Sequence, residues 1–323
     1  MMERNFEKIF EELIDGKTPH DESKKILLDM NDSGFTADMF TAAVKTLKNR
    51  MKTINLGFDA IDVCGTGGDG LKTLNVSTAV CFILAACAVK VAKHGNKAIS
   101  SSSGSADIFT ELKIGVTNDE AQIISNLQNH NLCFLFAPLF HQSLKNIANL
   151  RMQIAKEYKT PTIFNYLGPL LNPTNTSIQL IGVSNRQIMQ QMAQALSKNK
   201  NAKAYFVHGF EGMDEITLCD NSYLVKVENG QVFEEEIINP EEYGFKKVSI
   251  EDIKGEDPKY NSTKLISMLK GEKSAYRDIV VLNAAFALQL AGKVKSVENG
   301  VLMAIKAIDS GDALKVLSSL QEA

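Results

Sequence analysis

The 323-residue chain lacks an excess of positive charge. Its 35 lysines and arginines stand against 38 aspartates and glutamates, a net charge of -3, and no long run of one sign occurs. Non-specific attraction to a nucleic-acid backbone is therefore weak, no nucleic-acid partner is expected, and any anionic ligand must be met by local charges. Long apolar runs are also missing, since none reaches the roughly 18 residues of a membrane span. The opening MMERNFEKIFEELIDGK has neither the basic start nor the apolar core of a signal peptide. No membrane partner is expected, and the cytoplasm is the expected compartment. Paired cysteines are absent too: Cys64, Cys81, Cys87, Cys133 and Cys219 are odd in number, show no Cys-x-x-Cys spacing and mostly sit in apolar runs. There a thiol packs as a small hydrophobe, so they read as reduced and structural. Neither an internal repeat nor a low-complexity tract is visible, the nearest being Ser100-Ser101-Ser102-Ser103.

What is present is 44% hydrophobic content, ample for a core, in a chain long enough for about two domains. From Asn5 to about Thr53, NFEKIFEELI, DESKKILLDM and TADMFTAAVKTLKNR give three helical patterns, split at Gly16-Lys17-Thr18-Pro19 and Asp32-Ser33-Gly34. From Phe58 the texture changes. FDAIDVC, VSTAVCFILAACA, VKVAKHG, SADIFTELK, EAQIISNLQNH and LCFLFAP alternate short apolar runs with amphipathic ones, which implies βαβ units and a parallel sheet. Thr117-Asn118-Asp119-Glu120 has capping-box spacing and predicts a helix start capped by Thr117. Residues 150–175 hold Pro161, Pro169 and Pro173, an irregular stretch suited to a crossing between domains. A helix (SNRQIMQQMAQALSKN), a strand (AKAYFVHG), a β-rich section (YLVKVENGQVFEEEI) and closing helices follow.

DVCGTGGDG, residues 62–70, sits between a strand-like and a helix-like run. Glycines in that position let backbone N–H groups face an anion at a helix N-terminus. The stretch is neither the Walker pattern nor G-x-G-x-x-G, and alone it is equally compatible with a surface turn. Lys72-Thr73-Leu74-Asn75-Val76-Ser77-Thr78 then brings three hydroxyls and an amide to the next helix start, more than one N-cap needs. A second polar loop, Lys93-His94-Gly95-Asn96-Lys97 with Ser100 to Ser105, follows the next strand and should lie beside the first in a doubly wound sheet. Two adjoining loops of this chemistry favour a phosphorylated ligand.

Five stretches, DVCGTGGDG, KHGNKAISSSSGSADIF, FAPLFHQSLKNIANLR, TIFNYLGPLLNP and HGFEGMDEIT, resemble the anthranilate phosphoribosyltransferase family in order and spacing. The resemblance extends over most of the chain, including the N-terminal helices and DIVVLNAAFALQLAGK. It implies an α/β fold, with a small all-helical domain joined to a larger α/β domain around a mostly parallel sheet, as in the nucleoside phosphorylases. The helical domain would be 1–57, completed by a returning segment near 150–175, and the α/β domain 58–149 with 176–323. It implies transfer of phosphoribosyl from 5-phosphoribosyl 1-diphosphate to anthranilate in tryptophan biosynthesis, one or two Mg2+ ions, and a homodimer. By the same resemblance, Gly65, Gly68, Asp69, Thr73, Asn75, Val76, Ser77 and Thr78 bind phosphoribosyl diphosphate. So do Lys93, His94, Gly95, Asn96, Lys97, Ala98, Ile99, Ser100, Ser101 and Ser105. Gly65, His94, Asn96, His141 and Arg151 line the anthranilate site, and Ser77, Asp214 and Glu215 hold magnesium. Lys97, Gln142, Asn149 and Pro161 depart from the family pattern, which bears on the shape of the anthranilate pocket.

The chemistry suits these residue types. Displacing diphosphate from ribose C1 builds opposite charges on sugar and leaving group, so stabilising diphosphate and positioning the amine carry the catalysis. Lys93, Asp214 and Glu215 are the candidates for that stabilisation, and no side-chain nucleophile is needed. Adjacent acids on a strand point to opposite faces, so Asp214 and Glu215 serve one site only from a turn or with two ions; Gly209 and Gly212 favour a turn. Arg151 offers a planar fork for a carboxylate. A pyrimidine-nucleoside phosphorylase-like enzyme and a non-catalytic nucleic-acid-binding relative are the alternatives, the second disfavoured by the near-neutral charge.

Overall fold

Three short helices open the chain, α1 (Phe6–Ile14), α2 (His20–Ser33) and α3 (Ala37–Lys48), on the three predicted segments. Asn5 and Thr36 cap two of them by accepting from the N–H groups of Lys8 and Met39. The structure, a computed structural model, describes residues 5–98 and 102–323.

The alternating region then runs β1 (Ile61–Gly65), α4 (Val76–Ala86), β2 (Val91–Gly95), α5 (Ser105–Glu111), α6 (Glu120–His130) and β3 (Leu132–Phe136). After α7 (Ala137–Phe140) and α8 (Lys145–Tyr158), two 3-10 turns at Ile163–Asn165 and Gly168–Leu171 lead to β4 (Ile178–Gly182). Next come α9 (Arg186–Leu196), β5 (Lys203–Gly209), β6 (Ser222–Glu228), β7 (Gln231–Val232) and β8 (Glu236–Ile238). Four helices close the chain: α10 (Pro258–Leu269), α11 (Ala275–Leu290), α12 (Val297–Asp309) and α13 (Asp312–Gln321).

The strands form one sheet in the order β3-β2-β1-β4-β5-β6-β7, with β8 paired to β6. β1 to β5 are parallel and β6 to β8 antiparallel. β4 was not anticipated. SIQLIG has the same length and even burial as β1, β2 and β3, but it follows an irregular proline-bearing stretch and stands outside the regular strand-helix alternation that marked them. It is nonetheless the neighbour of β1 on the side away from β2, so the chain reverses direction across the sheet between β1 and β4. In open α/β sheets the crevice at the carboxyl ends of such a switch point is where ligands bind.

Helix α4 is apolar on every side because it lies between the sheet and the layer made by α11, α12 and α13. The opposite face of β4, β5 and β6 packs with α1, α3, α9 and residues 163–171 in a second apolar cluster. The stretch from α8 onward returns to the N-terminal helices: Asn146 Nδ2 donates to the Ile14 carbonyl at 2.8 Å, and Asn31 Nδ2 to Thr160 Oγ1 at 2.6 Å. The predicted start of α6 holds, but its cap is Asp119, which accepts from Gln122 N–H at 2.9 Å, while Thr117 Oγ1 accepts from Asp119 N–H. A carboxylate one residue from the helix outcompetes the more distant hydroxyl. The five cysteines are free thiols, four of them buried. Among the described residues no helix is long and apolar enough to cross a membrane.

Candidate active site

Gly65 and Gly182 are paired in register at the carboxyl ends of β1 and β4. Asp214 fills the space that their missing side chains leave. A Cβ on Gly65 would meet its Oδ2 at 2.2 Å, and one on Gly182 would meet its carbonyl oxygen at 1.6 Å. Gly67, Gly68 and Gly70 are glycines for another reason. Their φ values are +66°, +78° and +75°, and nothing lies within 4 Å of where a Cβ would be. The turn they make, rather than crowding by the protein, requires them. Ser184 clamps this loop, its N–H donating to Thr66 Oγ1 at 3.1 Å and its hydroxyl to the Gly67 carbonyl at 2.9 Å.

Asp214 and Glu215 lie in a turn, as the glycines around them suggested, and reach two different backbone donors. Asp214 Oδ2 accepts from Gly67 N–H at 2.7 Å, and Glu215 Oε1 accepts from Ser77 N–H at 3.1 Å, at the first turn of α4. None of the nearby hydroxyls caps that helix; Glu215 does so from 138 residues away, where the N-terminal dipole favours negative charge. Burial and the nearby Asp69 push the Asp214 carboxyl up to about 7, and burial with Asp214 pushes Glu215 up to about 8. Asp69 itself accepts from Leu71 N–H at 3.1 Å. Lys93 lies beneath, 2% exposed, with Nζ donating to the Val63 carbonyl at 2.6 Å and to Ser77 Oγ at 3.4 Å. Burial opposes its charge, but the Cys64 and Cys81 thiols and the Asp62 and Glu215 carboxyls more than offset this, so its pKa is raised.

These residues fit a hard divalent ion. Two partly buried carboxylates, each accepting from a backbone N–H, keep further oxygen lone pairs for a cation. Mg2+ characteristically takes one or two such carboxylates and completes its shell with substrate phosphates and water.

The loop after β2 lies beside the loop after β1, as the parallel pairing of β1 and β2 requires. Its members Ile99, Ser100 and Ser101 fall outside the described residues. Asn96 and Lys97 are exposed and Ala98 half-buried. Gly95 and Gly104 permit a tight fold: a Cβ on Gly95 would meet Ser105 Oγ at 2.0 Å, and one on Gly104 would meet Ala98 N at 2.4 Å. Asp107, which the sequence pattern did not mark, ties the two described ends of the loop by accepting from Ala98 N–H at 3.0 Å and Gly104 N–H at 2.9 Å. Thr73 and Asn75 are half-buried between the two loops, and Val76 and Thr78 are buried.

His94 and His141 meet with Nε2 atoms 3.2 Å apart, and His94 Nδ1 lies 3.2 Å from the Gly168 carbonyl. A carbonyl only accepts, so His94 carries its proton on Nδ1 and His141 Nε2–H donates to His94 Nε2. Burial and the neighbouring ring hold His94 down to about 3, and burial holds His141 down to about 4, so the pair is neutral. Below it, buried Asp62 accepts from His94 N–H at 3.1 Å and from Asn172 Nδ2 at 2.8 Å, tying the 163–175 stretch to β1 and β2. Arg151 lies on α8 with its guanidinium 5.8 Å from the Phe164 ring centroid. Its Nε is buried without a partner, and burial alone lowers its pKa. No carboxylate pairs with it among the described residues.

Among the described residues, one group of expected site residues is built on the glycine loop and α4 at the carboxyl end of β1, and His94 with His141 forms a second at the end of β2, while Arg151 lies on α8 against Phe164. Gly182 and Ser184 belong to the first and were missed; a glycine ending an apolar run just before a helix was the available signal.

The chain also has clear relatives among known proteins. A model described as "Glycosyl transferase family, a/b domain" matches residues 57–314. Anthranilate phosphoribosyltransferase of Thermoanaerobacter sp. (strain X514) is 39% identical over 321 residues, 99% of this chain and 94% of that protein. The crystal structure of anthranilate phosphoribosyltransferase from Thermus thermophilus superposes with a TM-score of 0.90 at 30% identity, covering 100% of this chain and 96% of that one. The Saccharomyces cerevisiae enzyme in complex with PRPP and Mg shares the fold, with a TM-score of 0.86 at 23% identity over 97% and 90% of the two chains. The chain belongs to the anthranilate phosphoribosyltransferase family.

Proposed function

We propose that this protein transfers the 5-phosphoribosyl group of 5-phosphoribosyl 1-diphosphate to the amine of anthranilate, releasing diphosphate, in tryptophan biosynthesis. The observation that carries the reading is that the acidic pair Asp214 and Glu215 and the guanidinium of Arg151 are each left without a partner of matching charge at the surface. Among the described residues, Asp214 and Glu215 have no cation beside them other than buried Lys93, and Arg151 has no anion.

The ribose C1–O bond breaks with its electron pair going to diphosphate, and the aniline nitrogen forms the new bond at C1 and then loses a proton. That nitrogen is unprotonated at neutral pH, so no strong base is required. The glycine loop and the N–H groups at the start of α4 would receive the diphosphate. Lys93, buried beneath Ser77, would stabilise the departing charge through its field in a low-dielectric setting. Asp214, Glu215 and the Ser77 hydroxyl would hold Mg2+, which neutralises phosphate charge when bound. Asp69, Thr73, Asn75, Asn96 and Lys97 would border the phosphoribosyl group, and Arg151 would grip the anthranilate carboxylate. With His94 and His141 bonded to each other as neutral rings, an orienting role suits them better than proton acceptance.

The helical segment 1–57 with the returning 150–175 stretch would act as one domain and the remainder as the other, with anthranilate between them. A cytoplasmic homodimer completes the reading, and the exposed Met152 and Tyr158 on α8 offer apolar surface for it. The test is direct: incubate the protein with Mg2+, 5-phosphoribosyl 1-diphosphate and anthranilate, and follow anthranilate fluorescence. Loss of signal is expected. No loss with any divalent ion, together with phosphate-dependent cleavage of a pyrimidine nucleoside, would overturn the reading.

A further inference from the structure

Asn75 stands just before α4, where an asparagine side chain ordinarily accepts from the first N–H groups of its own helix. It makes no such bond. Its amide is committed elsewhere: Nδ2 donates to the Ser103 carbonyl at 3.1 Å, and Oδ1 accepts from Asn261 Nδ2 at 3.0 Å. Its backbone carbonyl accepts from the Tyr276 hydroxyl at 3.1 Å. Asn75 therefore joins the loop after β1 to the loop after β2, and two buried side chains from the C-terminal helices hold it in place.

The support behind it is continuous. Asn261, 2% exposed at the start of α10, is itself oriented by Glu256 N–H, which donates to its Oδ1 at 2.8 Å. Leu74 N–H donates to the Ile253 carbonyl and Gly255 N–H to the Lys72 carbonyl, so residues 253–255 are sewn along the 72–74 segment. Gly255 has to be glycine there, because a Cβ would meet the Thr73 carbonyl at 2.7 Å and Asn261 Nδ2 at 2.9 Å. Tyr276 is 3% exposed on α11, and its ring has no surface role. A residue that gives up its local bond for three distant ones marks a place where function has overridden local preference.

We propose that Asn261 and Tyr276 are positioning residues for the diphosphate half of the site, acting through Asn75 to make the two loops one anion-binding surface. The inference rests on the proposed function for the nature of the ligand.

Two near-isosteric variants test it. Asn261→Asp keeps the acceptor for Glu256 N–H but loses the donor to Asn75 and faces its oxygen with a charge. Tyr276→Phe removes only the hydroxyl. In the full-length protein with Mg2+, calorimetry with inorganic diphosphate should show binding weakened about tenfold or more in Asn261→Asp and several-fold in Tyr276→Phe. In turnover, KM for phosphoribosyl diphosphate should rise in parallel while KM for anthranilate stays within about twofold, a split that general loosening of the fold would not give. In an Asn75→Ala background, Asn261→Asp should add little, because the bridge is already gone. Wild-type diphosphate binding in folded variants, or equal weakening of both substrates, would overturn the proposal. Should Asn261→Asp fail to fold, unchanged diphosphate binding by Tyr276→Phe overturns it alone. A wild type that binds diphosphate without turnover counts against the proposed function and leaves the comparison of variants intact.

Discussion

Gly182 and Asp214 are in such close contact that a single Cβ on the glycine would fall 1.6 Å from the aspartate's carbonyl oxygen. The relationship is purely steric, because Gly182 has no left-handed backbone to explain it. Gly182→Ala should therefore push the 214–215 turn outward. The expected result is a loss of divalent-ion affinity of at least about tenfold, with stability lowered by about 1–3 kcal/mol from overpacking. Mn2+ binding followed by electron paramagnetic resonance, alongside a thermal melt, reads both. An unchanged Mn2+ affinity would separate the glycine from the acidic pair.

Replacing the acids themselves should act on turnover and not on folding. Asp214→Asn with Glu215→Gln keeps an oxygen for Gly67 N–H and for Ser77 N–H while removing two charges that burial disfavours. Turnover should fall about 100-fold or more, and the urea midpoint should hold or rise. A Mg2+ titration that matches the wild type would remove the pair from metal binding.

Arg151 presents an unpaired guanidinium against Phe164, and a carboxylate ligand would satisfy it. Arg151→Ala should raise KM for anthranilate about 10- to 100-fold, as expected for a lost charge-assisted hydrogen bond. Arg151→Lys should recover little of it, since an ammonium lacks the planar fork. KM for phosphoribosyl diphosphate should barely move; equal rises in both would assign the arginine to structure.

The two histidines should remain neutral throughout the physiological range. Their folded pKa values, about 3 and about 4, lie below the ordinary 6.5. Between these limits the unfolded chain binds more protons than the folded one, so the stability they contribute is complete above 6.5 and lost as pH falls toward 4. From pH 7 to 5 the wild type should lose more stability than a His94→Asn, His141→Asn double variant, by on the order of 1–2 kcal/mol per ring. Differencing against the variant cancels Asp62, Asp214 and Glu215, whose raised values act in the opposite direction. His94 or His141 imidazole signals, assigned by their loss in the double variant, that shift near pH 6.5 in a nuclear magnetic resonance titration would contradict the paired, neutral arrangement.

Much of the site was legible in the sequence because its signals are local. Glycines at positive φ leave a trace in DVCGTGGDG, and strand-helix alternation implies parallel neighbours, which brings the loop after β2 against the loop after β1. The turn holding Asp214 and Glu215 followed from Gly209 and Gly212. What stayed hidden depends on contacts across the fold. β4 follows the irregular proline-bearing 150–175 stretch and so stands outside the strand-helix alternation that marked β1 to β3, and Gly182 at its end went unread. Glu215 displaced the local hydroxyls as the cap of α4, and Asp119 displaced Thr117 as the cap of α6, because a well-placed carboxylate is the stronger acceptor. Asn75 looked like one more polar residue before a helix, and only the positions of Ser103, Asn261 and Tyr276 reveal what its amide does.

That last arrangement has a consequence for synthesis. The proposed anion-binding surface draws on residues near 65, 103, 182, 215, 261 and 276, so its contacts close long loops and form late. A chain emerging from the ribosome would have made the glycine loop long before Tyr276 existed to support it. Ligand affinity is thus a property the protein acquires only when nearly all of it has been translated, and a product truncated before α11 would lack it even if its first strands were already paired.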